Sequence, residues 1–129
     1  MMVEDLFTKL STDGGITPIA ADRSYLGSLP EHPTLPAIAF RPYHGDSKVT
    51  MDGAKGLIRE LVEVVSFAND PKTAEQLSKA VQASLEGFAG TMGSTAVQGI
   101  FVYSDGRLEF DQDRLQFRVE QDYEIWFRQ

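Results

Sequence analysis

The chain has 129 residues, of which 42% are apolar and 24% are charged, and it contains no cysteine. This size and composition fit one soluble domain, expected over residues 1–129, and they exclude a disulfide framework and thiolate metal ligands. The formal net charge of −7 disfavours a sequence-specific DNA or RNA reader, because such proteins use a basic surface.

The first residues predict a short amphipathic helix over residues 3–10. Its apolar side chains recur at steps of three and four: Val3, Leu6, Phe7 and Leu10. The polar and glycine-rich residues 11–15 end it. Glu4 and Asp5 stand where a secretory signal would need basic residues, and no stretch of the chain reaches membrane-spanning length. We therefore expect a protein that is made in the cytoplasm and has no membrane partner.

Residues 16–67 predict two long strands, preceded by an extended segment and separated by a polar segment. Residues 16–36 contain four prolines, which favours a mostly extended segment with a short strand around residues 24–27. A strand follows over residues 36–43. Residues 43–56 are rich in Gly, Asp, Ser and Lys without apolar periodicity, so they form either the tip of a long hairpin or a mobile loop. Residues 57–67 predict a second long strand, and its two apolar faces suggest cover on each side.

The main helix is predicted over residues 71–86. Asp70 can cap its first backbone N–H groups, and Pro71 suits the first helical position. Apolar residues then recur at helical spacing: Ala74, Leu77, Val81, Leu85 and Phe88. Gly87 can end the helix, residues 97–103 predict a third strand, and residues 104–106 predict a turn.

The last fifteen residues, LQFRVEQDYEIWFRQ, alternate between apolar and polar side chains and predict a strand with one buried face. The apolar side chains lie at odd-numbered positions, starting with Leu115, which is therefore predicted to be on the buried face. Fifteen extended residues would span roughly 50 Å, whereas a domain of this size has a radius of gyration of about 14 Å. We interpret this strand as an edge that bends or runs past its own domain and is covered by other copies or by a partner.

The order helix, strand, strand, helix, strand, strand indicates an α+β fold. It predicts a mostly antiparallel β-sheet with one main α-helix packed on a face and a short N-terminal helix. Three glycines in GFAGTMGST, residues 87–95, resemble a phosphate loop in spacing. They follow the end of a helix instead of leading into one, and no lysine accompanies them, so a helix-to-strand connector is favoured.

Other candidate sites are weak. His32 and His44 each lie in a segment without a suitably spaced nucleophile, although His44 could pair with Asp46. Residues 111–113 lack the glycine and glutamate of a calcium loop and favour a solvated turn. We therefore expect no catalytic residue, no cofactor and no metal site.

Trp126 is the only tryptophan and lies on the polar parity of the last strand. Its ring either tucks over a neighbouring loop or contacts another protein, and aromatics on a polar face are enriched where proteins meet. Arg118 and Arg128 share its parity. The predicted subunit or partner interface therefore contains these three residues together with three from residues 43–56: His44, Lys48 and Met51.

Nearly the whole chain resembles the tail-completion family of long-tailed bacteriophages, also called tail terminators. The resemblance is carried by LFTKLSTDGGITPIAADRSYLGSLPEHPTLPAIAF, by AVQASLEGFAGTMGSTAVQGIFV and by the finish with DYEIWF, in that order and spacing. It implies a structural virion protein without catalytic residues, located at the junction of tail and neck. The implied assembly is a ring, with six subunits expected, that stops tube polymerisation and contacts the tail tube protein and the head connector.

The resemblance also implies that DNA passes through the ring without specific contacts. Six copies would carry a charge of about −42, and an acidic lumen would let DNA pass because affinity for phosphate comes from basic contacts. Two other classes stay open. A monomeric adaptor could capture a peptide along a sheet edge, and a small hydrolase could use His44.

Overall fold

The computed structural model describes residues 2–48 and 57–128. These residues form three helices and six strands. The helices are α1 (Met2–Thr12), α2 (Thr17–Ala20) and α3 (Pro71–Leu85). The strands are β1 (Ser24–Leu26), β2 (Ala37–Lys48), β3 (Leu57–Ala68), β4 (Gly90–Met92), β5 (Thr95–Asp111) and β6 (Gln116–Arg128). No helix within these two ranges has both the length and the apolar character needed to cross a bilayer.

The six strands form one curled, mixed sheet in the order β1-β2-β3-β6-β5-β4. Only β1 and β2 pair in parallel, and the other four pairings are antiparallel. The α+β class and the mostly antiparallel sheet are therefore confirmed. The β2–β3 hairpin also decides the interpretation of residues 43–48, which continue β2 as a strand, whereas residues 49–56 lie outside the described residues.

The prediction that the last strand is an edge is wrong. β6 lies between β3 and β5 and pairs with both along its length. β6 has 13 residues, and its neighbours have 12 in β3 and 17 in β5, so the strand needs no partner beyond its own sheet. The length of β6, which indicated an external partner, is matched by the neighbouring strands of the same copy.

α3 begins and ends where the sequence predicts, to within one residue. The Asp70 side chain accepts a hydrogen bond from the Thr73 backbone N–H at 3.0 Å, which satisfies one of the unpaired N–H groups of the first turn. Its buried face consists of Ala74, Leu77, Ser78, Val81 and Leu85. After the helix the chain turns at Gly87, whose φ of 79° suits a residue without a side chain.

All three helices, not one, contribute to the main hydrophobic core, and α2 does so through Ala20. Leu6 and Leu10 of α1 join Leu77 and Val81 of α3 in one cluster with the sheet. The strand residues of that cluster are Ile38, Phe40, Val62, Val64, Met92, Val97, Ile100, Tyr123, Ile125 and Phe127. The odd-numbered residues of β6 therefore face the helices, and the even-numbered residues face the other way. We call these the helix face and the outer face of the sheet.

Three local predictions differ from the structure. Residues 17–20 form α2 instead of extended chain, because Pro18 is compatible with a first helical turn and Ala20 is buried by it. Residues 104–106 form no turn, since β5 continues through them with register shifts typical of bulges. Leu115 is 71% exposed at a positive φ of 53°, and the neighbouring Gln116 is buried instead.

The real turn between β5 and β6 lies at residues 112–115. The Asp111 carboxylate accepts hydrogen bonds from the backbone N–H groups of Asp113 at 3.0 Å and Arg114 at 3.3 Å. The predicted solvated turn at residues 111–113 is thus confirmed, and its aspartate stabilises the hairpin through local hydrogen bonds.

Candidate functional site

Trp126 lies on the outer face of the sheet and is half-buried. Its indole N–H donates to the Glu124 carboxylate, which also accepts from the Arg59 guanidinium at 3.0 Å. The Arg59 guanidinium lies 5.9 Å from the centre of the Trp126 ring and 5.7 Å from the centre of the Tyr103 ring. These contacts join β3, β5 and β6, so the indole is held in place by strands of its own sheet.

Phe101 extends this surface towards the edge of the sheet. Its ring lies over Gly99, which is the register partner of Trp126. A Cβ added at Gly99 would lie 2.9 Å from that ring, so a larger residue there would require the Phe101 ring to shift. Phe101 and Tyr103 are 53% and 54% exposed. The outer face therefore carries an aromatic surface that is fixed underneath and open to solvent.

A second polar group lies on the same face beside β2. The Tyr43 hydroxyl hydrogen-bonds the Asp122 carboxylate, and burial together with that carboxylate raises the pKa of Tyr43. Burial and the nearby Glu63 raise the pKa of Asp122, against the effect of the Tyr43 hydrogen bond. Glu63 is paired in turn with Arg41 at 3.2 Å. The acidic residues here are partly compensated by neighbours, which explains how they coexist on one face.

The structure separates the residues that the sequence assigned to one interface. Arg118 shares the face of Trp126 but lies eight residues away, roughly 27 Å along an extended strand. It pairs with Glu120 at 3.6 Å and with Glu109 at 3.8 Å. Arg128 is exposed at the end of β6, two residues from Trp126.

The remaining predicted interface residues lie on or beyond β2. For His44 and Lys48 the structure describes only the backbone, which pairs with Leu61 and Leu57 of β3. Met51 lies outside the described residues. The role of all six residues in an interface stays a prediction.

Two long sheet edges carry the features that sequence reasoning missed. β4 pairs only with residues 95–97 of β5, and β1 pairs only with residues 38–40 of β2. Within the described residues, the outer edges of β5 beyond residue 97 and of β2 beyond residue 40 therefore have no neighbouring strand. Unpaired edges of this kind can accept another strand.

Exposed apolar side chains concentrate at those edges. Among the side chains that the structure describes, eight large apolar residues are exposed, and four of them belong to β5: Phe101, Tyr103, Leu108 and Phe110. Leu26 and Tyr43 lie at the opposite edge, on β1 and β2. The signal for this surface was present in the sequence, but the turn predicted at residues 104–106 divided β5 and concealed its length.

The glycine-rich segment at residues 87–95 contains β4 and the turn into β5. The carboxylate of Asp5 on α1 accepts from the Ser94 N–H and hydroxyl, each at 3.2 Å, and from the Thr95 hydroxyl at 2.5 Å. These hydrogen bonds lower the pKa of Asp5, the bond from Thr95 contributing most. A Cβ added at Gly93 would overlap that carboxylate. The glycines thus serve the backbone path and the contact with α1.

Of the two histidines, only the side chain of His32 is described by the structure. His32 lies in an exposed loop 3.7 Å from Glu31. Among the side chains that the structure describes, which do not include those of residues 44–48 and 105, acidic and histidine residues form no group of three or more that could hold a metal ion.

Comparisons with known proteins agree with the fold. A family model described as "Tail completion protein gp17" matches residues 4–128. No curated protein matches the sequence. A chain of a solved structure described as "Virion of native gene transfer agent (GTA) particle" superposes with a TM-score of 0.70 at 12% sequence identity. The match covers 96% of this chain and 92% of that chain, and at this identity it shows a shared fold.

Proposed function

The chain belongs to the tail completion protein gp17 family and is a structural protein of the virion tail, and from this we propose that it caps the tail tube and joins it to the head connector. In this proposal the protein works as a non-enzymatic ring of six copies at the junction of tail and neck. Its partners are further copies of itself, the tail tube protein and a head connector protein. DNA passes through the ring without sequence-specific contacts.

The observation that carries the proposal is the pair of open sheet edges. β2, β3, β6 and β5 alternate in direction across the sheet, so β5 runs antiparallel to β2. The open edge of β5 in one copy can therefore lie beside the open edge of β2 in the next copy as an ordinary antiparallel pair. Such a contact uses two different surfaces of each copy, and head-to-tail contacts of this kind close into rings.

The apolar side chains at these edges support the same arrangement. Phe101 and Tyr103 project from the outer face of β5, and Tyr43 projects from the outer face of β2. One copy exposes 7147 Å². A specific interface usually buries about 800 Å² on each partner. Two such contacts on each copy would cover roughly a fifth of its exposed area.

The edge observation also favours a second function, a monomeric adaptor that binds an extended peptide along β5. Multi-angle light scattering over a hundredfold dilution series separates the two. A ring former shifts from oligomer to monomer as it is diluted, and the oligomer has a defined maximum mass. A protein that stays at the mass of one copy, 14.3 kDa, at every concentration would refute the ring and favour the adaptor.

The acidic character of the chain suits passage of DNA through the proposed ring. With a net charge of −7 per copy, the assembly carries a large negative charge that opposes retention of phosphate. We expect the assembled protein to show no retention of double-stranded DNA in a filter-binding assay at 50 mM salt. Retention that weakens steeply with added salt would reveal a basic bore and contradict this part of the proposal.

A further inference from the structure

A cavity of about 320 Å³ lies at the end of the sheet, where β3 begins and β6 ends. The start of α1 and the turn between β4 and β5 complete its walls. It is lined by Met2, Val3, Ile58, Glu60, Ser94, Thr95, Phe127 and Arg128. Half of these side chains are apolar, and the volume is sufficient for one long side chain.

Glu60 is the unusual member of this lining. Its register partner is Ile125, so it points to the helix face of the sheet among apolar residues. One carboxylate oxygen, Oε2, is buried without a hydrogen-bond partner. Burial raises the pKa of Glu60 above its ordinary value. On the same strand, Glu63 points to the outer face and is paired with Arg41.

The polar neighbours in the cavity do not compensate Glu60. The hydroxyls of Ser94 and Thr95 donate to Asp5. Arg128 lies at the exposed rim, and among the side chains that the structure describes no charged group offsets the effect of burial on the pKa of Glu60. A buried carboxylate oxygen that lacks a hydrogen-bond partner costs free energy, and an apolar residue at that position would remove the cost. An unsatisfied buried polar atom calls for an explanation, and a partner group that binds there would supply one.

We propose that this cavity is a socket for a lysine or arginine side chain carried by another protein of the particle, an inference that rests on the proposed function. The aliphatic stem of the incoming residue packs against Met2, Ile58 and Phe127, and its cationic head pairs with the Glu60 carboxylate. A different protein is favoured over a second copy because the socket lies at the end of the strands. The proposed contacts between copies run along the sides of the sheet.

The socket itself is tested with a small probe that is independent of assembly. N-acetyl-arginine methylamide is titrated into isotope-labelled protein, and N-acetyl-norleucine methylamide serves as an uncharged probe of similar length. We expect millimolar binding of the arginine probe, with shifts centred on the backbone amides of Ile58, Thr95 and Phe127. The arginine probe should bind Glu60→Gln at least tenfold more weakly than the wild type, and it should bind the matched variant Glu63→Gln with unchanged affinity. The norleucine probe should bind the wild type at least tenfold more weakly than the arginine probe does.

Two outcomes of that titration overturn the socket. Equal affinity for the two probes would reduce it to a general apolar cavity. Unchanged binding of the arginine probe to Glu60→Gln would place the cation elsewhere, on the outer face if Glu63→Gln is the variant that loses it.

The source of the basic side chain is tested in particle assembly. Purified heads and tails that lack this protein are mixed with wild-type protein, Glu60→Gln or Glu63→Gln, and joined particles are counted by electron microscopy. We expect Glu60→Gln to form the same oligomer as wild type and to join heads to tails at least tenfold less often, with Glu63→Gln at the wild-type level. Normal joining by Glu60→Gln, or loss of its oligomer, would overturn the assignment to another protein. Failure of the wild-type protein to join particles would instead refute the proposed function and leave the probe result standing.

Discussion

Replacing Phe101 with lysine should dissociate the oligomer without unfolding the protein. Phe101 is 53% exposed in one copy, and an aromatic side chain has roughly 200 Å² to bury. A neighbouring copy over β5 would therefore cover about 100 Å² more of this ring, worth about 2.5 kcal/mol at about 25 cal/mol per Å². That energy corresponds to about a 70-fold weaker contact. The new charge at an apolar contact should weaken it further.

The assay is sedimentation velocity at a series of protein concentrations, with thermal unfolding measured on the same samples. We expect the midpoint of the transition between monomer and oligomer to move at least 70-fold higher in concentration. The melting temperature of the monomer should change little, because substitutions of exposed residues usually alter stability by about 0.5 kcal/mol or less.

Leu115→Lys is the matched control. Leu115 exposes more of its surface, 71%, and it lies in the turn between β5 and β6 and not on an open edge. This control should assemble as the wild type does. If Phe101→Lys assembles with wild-type affinity, or if Leu115→Lys dissociates to the same extent, the edge of β5 is not the contact surface and the reasoning is wrong.

Three further predictions concern the fold that supports this surface. Tyr123→Phe should destabilise the protein by about 1–2 kcal/mol in urea unfolding, because it leaves the buried Gln121 oxygen, which accepts from the tyrosine hydroxyl at 2.8 Å, without that donor. Glu60→Leu should raise the melting temperature at pH 7, and the gain should shrink as the pH falls through the raised pKa of Glu60 and the wild-type carboxyl becomes neutral; a lower melting temperature would contradict the unpaired state of Glu60. Gly93→Ala should lower the melting temperature, and less so in an Asp5→Ala background, because the added methyl group overlaps the Asp5 carboxylate; equal losses in both backgrounds would exclude that contact as the cause.

The elements with a strong local signal were predictable from the sequence. α3 has a capping aspartate, a proline in its first turn and an unbroken apolar face, and its bounds agree to within one residue. β3 and β6 show clear apolar patterns, which gave their positions and, for β6, its buried face. Local hydrogen bonding and side-chain burial fix these features, and both leave a trace in the sequence.

The features that depend on pairing between distant strands were not predictable. The central position of β6 follows from its pairing with β3 and β5, and the alternation of its side chains is the same for a central strand and an edge strand. In β5 the residues around Gly106 suggested a turn, whereas the structure has a bulged strand in which a Cβ at Gly106 would lie 2.8 Å from the side chains of Val119 and Gln121.

The same limit applies to the candidate site. Trp126 stood out because it is an aromatic residue among the polar even-numbered positions of β6, and the structure places it on the outer face. Arg59, Tyr103 and Phe101 belong to other strands and join it only through the sheet register. Glu60 was recognisable as facing away from Glu63, but its missing partner is a property of the folded cavity.

Disulfide cross-linking between copies is the most direct test of the central claim, that the open edges of β2 and β5 join neighbouring copies head to tail. The chain has no cysteine, so each pair can be introduced cleanly. Arg41→Cys or Tyr43→Cys is combined with Phe101→Cys or Tyr103→Cys in one chain, and paired strands bring such positions close enough to cross-link. The account predicts that at least one double variant gives a ladder of covalent species ending at six copies, and that the single variants give none. Cross-linking of the single variants, or double variants that stay as monomers, would contradict it.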